Sequence, residues 1–86
     1  MPYIKELDRR KFDSVLDEFY KIDSNTLSPG DLNYLLSSII WFMFDQKISY
    51  TKANELIGVL ECVKQEFYRR KVVPYENKKI EENKDI

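Results

Sequence analysis

The stretch "EFYRRKVVPYENKK", residues 66–79, holds the side chains best suited to chemistry: Arg69, Arg70 and Lys71 between Tyr68 and Tyr75, with Lys78 beyond. A guanidinium matches phosphate oxygens with paired hydrogen bonds, and a tyrosine ring offers a face on which a nucleobase stacks. The pattern therefore fits a site for a small anionic, phosphate-bearing ligand such as a nucleotide. A plainer reading stands beside it. Cations in the last turn of a helix complement the negative end of its dipole, each contributing about 0.3–1 kcal/mol, and no ligand is involved. A helix end also works against an anion, because its unpaired carbonyls repel negative charge. The three cations point in different directions around one helix, so a good site needs arginines of neighbouring chains brought together.

Catalysis finds little support. Histidine is absent, which removes His-based triads and His general bases. Cys62 sits mid-helix in "VLECVK" with no histidine to activate it and reads as a buried, inert thiol. Glu61 and Glu66 are five apart, on different faces of a helix, and do not make an acid/base pair. "TLSPGDL" has one glycine and no lysine, so it is no phosphate loop. The expectation is a protein that is not an enzyme and carries no cofactor. Zinc is disfavoured by one cysteine and no histidine, and no D-x-D-x-D-G calcium loop occurs.

The elements that must position these residues read as helices. Phe12, Val15, Leu16, Phe19 and Ile22 share one face and predict a first helix over about 9–22, with Asp8 or Asp13 as its cap. "DSNTLSPG" is a loop by composition. Ser28, Pro29 and Asp31 predict the start of a second helix, an acidic variant of the capping box with proline in the first helical position. That helix runs over about 29–46. Ser49 caps a third over about 50–72, whose stripe is Ala53, Leu56, Ile57, Leu60, Val63 and Phe67. Pro74 is expected to stop it, since proline lacks an N–H and disfavours helix before it. The tail 73–86 carries seven charges in the thirteen residues from Pro74 and reads either as a solvated end or as a segment folding onto a neighbour. "MPYIK" reads as a short extended arm.

The fold class expected is all-α: one helical domain over 1–86, a three-helix subunit with an extended N-terminal arm and C-terminal tail. Eighty-six residues bury only about 60% of their unfolded surface, so the core is marginal, and one cysteine allows no disulfide within the chain. Helix two contains "IIWFMF", which is apolar in every direction where a surface helix needs about a 100° stripe. Either a three-helix core covers all of it, or Ile40, Trp41, Phe42 and Phe44 form the interface of a homo-oligomer. The second is the expectation taken here, and Gly58 is read as a point where another helix approaches closely. Fourteen basic against fifteen acidic residues, net −1, leave no footprint for duplex nucleic acid. The longest uncharged stretch, "LNYLLSSIIWFMF", is 13 residues, short of the roughly 20 that cross a bilayer, so no membrane partner is expected. The first residues have no apolar signal core, and an unpaired cysteine fits a reducing cytoplasm.

The segments "MPYI", "LNY" at 32–34, "IGVLECVKQEFYRR" at 57–70 and "PYENKKIEEN" at 74–83 resemble a family of short uncharacterised proteins of phage and prophage genomes. The family's ending carries glycine where this chain has Lys84, so the tight turn that glycine permits is not implied here. The resemblance implies that arm and tail belong to the working module, and that the setting is a bacterial host cytoplasm. By analogy with small oligomeric phage proteins that counter host defence, it implies capture of a nucleotide immune signal between subunits. The rival expectation is a protein-interaction module that binds and inhibits a host or phage protein, with the basic cluster as its polar rim.

Overall fold

The computed structural model describes residues 4–84, and these form three helices joined by short turns. By its internal contacts the chain falls into two units, Met1–Ser37 and Ser38–Ile86, the boundary lying inside the second helix. Of the predicted N-terminal arm, residues 1–3 lie outside the described residues. Lys5 is extended at φ −69°, ψ 151° and leads into the first helix.

The first helix covers 6–20, starting and ending earlier than predicted. Its α-helical parts are Glu6–Arg9 and Asp13–Tyr20, joined by the 3-10 turn Arg10–Phe12. Neither Asp8 nor Asp13 caps it. The residue in the capping position is Lys5, with no side-chain bond, while Glu6 and Asp8 place negative charge in the first turn, where the helix dipole favours it. The connecting loop is held by Asp23: its carboxylate accepts from the Asn25 N–H at 3.0 Å, and its carbonyl accepts from the Thr26 hydroxyl at 2.7 Å.

The second helix, Pro29–Asp45, begins as its sequence predicts. The Asp31 N–H donates to Ser28 Oγ at 3.1 Å, and the Ser28 N–H donates back to Asp31 Oδ2 at 2.8 Å. Two otherwise orphaned amides are thereby satisfied. That backbone bond, helped by the Ser28 hydroxyl, holds the Asp31 carboxyl below its usual range. The third helix opens on Ser49, whose hydroxyl accepts from the Lys52 N–H at 3.0 Å.

The third helix departs most from expectation, because Pro74 does not end it. Helical backbone continues from Tyr50–Phe67 through a π-helical turn, Tyr68–Val72, into Val73–Asn83. In an unbroken α-helix the Pro74 ring would clash with the carbonyl four residues back and leave it without a donor. The wider turn changes that geometry: the Val73 N–H reaches back five residues to the Tyr68 carbonyl. Pro74 then falls in the first turn of the following segment, where no N–H is needed. The segment read as a solvated or folding-back tail is thus helix to Asn83, supported by a Lys79–Glu82 pair at 3.2 Å and by Lys79 Nζ lying 5.7 Å from the Tyr75 ring centre. It stops at Lys84, which takes φ 59°, ψ 149°, backbone that favours glycine.

Among the described residues no side chain is buried in either unit. In the second unit partial burial gathers at the turn between helices, at Ile40, Phe44, Ser49, Lys52, Ala53 and Leu56, and again around the π-turn, at Glu66, Val72 and Val73. Cys62, expected to be buried, is exposed. Gly58 likewise faces open space: beyond its chain neighbours and its own helical backbone, no atom among the described residues lies within 4 Å of where a Cβ would stand. The close approach expected there does not occur within one copy.

Two substitutions test these local arguments. Ser49→Ala removes the cap of the third helix and is expected to cost about 1 kcal/mol in urea unfolding; an unchanged midpoint would mean the cap carries no stability. Lys84→Gly relieves the strained backbone and is expected to add about 1 kcal/mol. A loss of stability instead would show that this conformation is not held in solution.

Candidate functional site

The basic cluster sits in the π-turn of a continuous helix and not at a helix end. Eleven residues of α-helix, Val73–Asn83, follow it, so its cations complement no C-terminal carbonyls. The repulsion that such carbonyls exert on an anion is absent as well.

Arg69 and Arg70 are brought together by Glu66. Arg69 Nη2 donates to Glu66 Oε2 at 2.7 Å, and Arg70 Nη1 donates to Glu66 Oε1 at 3.1 Å, one carboxylate oxygen for each guanidinium. Spacings of three and four residues place all three on one helical face. The Glu66 side chain is only 11% exposed, whereas Arg69 and Arg70 stay 69% and 52% exposed. The hydrogen bonds from Arg69, then Arg70, hold the Glu66 carboxyl below its usual range. Each guanidinium has five N–H donors, so this geometry leaves donors on both arginines for another acceptor. Two cations against one carboxylate leave the group net positive.

The other predicted residues do not join this group. The Tyr68 hydroxyl donates to Glu76 Oε1 at 2.9 Å, spanning the π-turn, and that carboxylate pushes the phenol above its ordinary value. Tyr75 has Lys79, not Lys78, against its ring. The Lys71 and Lys78 side chains are exposed and make no hydrogen bond or ion pair among the described residues. Of the residues proposed for an oligomer interface, Trp41 and Phe42 are 68% and 63% exposed, while Ile40 and Phe44 are half-buried. Glu66 and Glu76 were missed as site residues. Glu66 was legible from its offsets of three and four to the arginines, but Glu76 depends on the π-turn and left no local signal. Among the described residues no three His, Cys, Asp or Glu side chains form a group that could hold a metal ion, and no helix is long and apolar enough to cross a membrane.

Among the described residues the chain is all-α, with a paired-arginine group at a π-turn and no buried side chain. The chain belongs to the family described as domain of unknown function DUF6899, which matches residues 1–86. No curated protein and no solved structure matches it.

The Arg69–Glu66–Arg70 group has a pH signature. The folded Glu66 pKa lies below its unfolded value, so its contribution to stability is present above the unfolded carboxylate pKa. It is lost as pH falls through the folded one. The stability gap between wild type and Glu66→Gln is therefore expected to be full at pH 7 and to close on acidification. A gap that stays constant from pH 7 to pH 3 would contradict the pairing.

Proposed function

We propose that this protein is a non-catalytic binding protein that works as a homo-oligomer and holds a phosphate-bearing small ligand on Arg69 and Arg70. The observation that carries the reading is the convergence of two guanidiniums, each more than half exposed, on one poorly exposed carboxylate. Glu66 acts in it as a positioning group, holding two planar forks side by side as bidentate capture of phosphate requires. The π-turn fits the same reading, since such turns recur at functional sites. Following the resemblance to phage and prophage proteins, the concrete ligand is a nucleotide signal of host defence, met in the cytoplasm of a bacterial host. Homo-oligomer formation is supported by the unburied apolar surface of the single copy.

A second reading is favoured by one specific observation. Trp41 and Phe42, at 68% and 63% exposure, are the kind of aromatic anchor that dominates protein–protein binding energy, and they fit a module that binds and inhibits a host or phage protein. A thermal-shift panel of cyclic and linear nucleotides separates the two. A ligand at 100 times its Kd stabilises the folded state by about 2.7 kcal/mol, which is on the order of 10 °C for a domain of this size. The expected result is such a shift for at least one nucleotide, erased by Arg69→Ala with Arg70→Ala while helicity persists. No shift, together with stoichiometric capture of a host protein that depends on Trp41, would favour the second reading.

A further inference from the structure

We infer that the third helix pairs with the third helix of a second copy in antiparallel fashion, and that this pairing brings the partner's Lys52 to Glu66. The inference rests on the homo-oligomer reading above and names the surface that builds it. Along the third helix, Ala53, Leu56, Leu60, Val63 and Phe67 follow one another in steps of three, four, three and four. That alternation is the seam of a two-helix coiled coil. Ala53 and Leu56 are half-buried beside the turn, and Leu60, Val63 and Phe67 stand 42%, 52% and 61% exposed.

The edges of the seam say what covers it. Lys52, Val59 and Glu66, seven residues apart, form one edge, which reads positive, apolar, negative; Ile57 and Lys64 lie on the other. An antiparallel copy is the complement of that edge. Lys52 meets the partner's Glu66, Glu66 meets the partner's Lys52, and Val59 meets the partner's Val59. On the other edge Ile57 meets the partner's Ile57. Such self-complementarity is what a two-fold interface requires. A parallel pair joins opposite edges instead, setting Lys52 against the partner's Ile57 and Val59 against the partner's Lys64, charge against apolar surface twice. Ile57 and Val59 flank the seam yet are apolar and 65% and 52% exposed, which the antiparallel register accounts for and the parallel one does not.

The area is also of the right order. At roughly 150–200 Å² per large side chain, the exposed fractions of Ile57, Val59, Leu60, Val63 and Phe67 leave on the order of 450 Å² per copy. That makes about 900 Å² for the pair before the polar edges are added, close to the roughly 1,000 Å² of a specific interface. The pairing bears directly on the arginines. In one copy Lys52 pairs with Glu55 at 3.3 Å, and Glu66 takes a hydrogen bond from each arginine. With the partner's Lys52 beside it, Glu66 shares its oxygens among three cations, and guanidinium donors turn free for an anion.

Disulfide trapping tests this. In a Cys62→Ser background, Ile57→Cys places a thiol where the antiparallel pair brings it to its own copy, whereas a parallel pair holds residues 57 on opposite sides of the seam. Under mild oxidation, rapid conversion to a covalent dimer is expected, with native mass spectrometry showing the same oligomer in wild type and no crosslink through Cys62. An oligomer that does not crosslink through Ile57→Cys would overturn the inference while leaving self-association standing; a monomer at all concentrations would overturn both. Should Ile57→Cys fail to fold, Val59→Cys reads the other edge with the same outcomes. Independently, Lys52→Glu is expected to weaken association at least 10-fold, and adding Glu66→Lys to restore it. Absence of restoration would overturn the proposed contact.

Discussion

Water reaches Trp41, Phe42, Ile57 and Phe67 over more than half of their surface, and no described side chain is buried. Leaving a large apolar side chain in water forgoes roughly 1.5–3 kcal/mol each, while ordering each residue's backbone costs about 1–2 kcal/mol. Helices alone do not offset that cost, because most helical stability in proteins comes from packing an apolar face and not from propensity. The capping at Ser28 and Ser49 and the short-range ion pairs add tenths to about one kcal/mol apiece. The proposed homo-oligomer would supply the remaining stabilisation by covering that apolar surface with a second copy. The proposed assembly follows from that constraint, whereas the proposed ligand site rests separately on the Arg69–Glu66–Arg70 group.

The π-turn organises the C-terminal half of the chain. Without it Pro74 would end the third helix and Arg69, Arg70 and Lys71 would be terminal charges. With it, helix continues to Asn83, the arginines fold back onto Glu66, and Tyr68 reaches forward to Glu76. Glu66 is the centre of the candidate site: a carboxylate drawn in between two cations, whose hydrogen bonds orient guanidiniums that remain open to solvent.

Much of the local structure was legible beforehand, where a cause and its effect lie within four residues. The Ser28–Asp31 capping box and the Ser49 cap are such cases, and both helices start where those residues place them. Three helices and no strand among the described residues also followed from the apolar periodicity. Pro74 was misread because the rule that proline ends helices assumes α-helical geometry before it, and a π-turn changes that geometry. Cys62 was misread because apolar neighbours in a helix suggest burial, yet the thiol is exposed. Glu66 was weighed only against Glu61 as an acid/base pair, although its offsets to Arg69 and Arg70 announced an ion pair. What covers an apolar face depends on distant chain or on another molecule, and no short window of residues contains that information.

The central claim is that folding of this chain is completed by association, and the most direct measurement is helicity followed through thermal unfolding over a hundredfold range of protein concentration. Unfolding coupled to dissociation makes the midpoint concentration-dependent. The account predicts a midpoint that climbs steadily with concentration, with sedimentation showing an oligomer throughout the folded range. A cooperative transition with a fixed midpoint, in a species that sediments as a monomer, would contradict it.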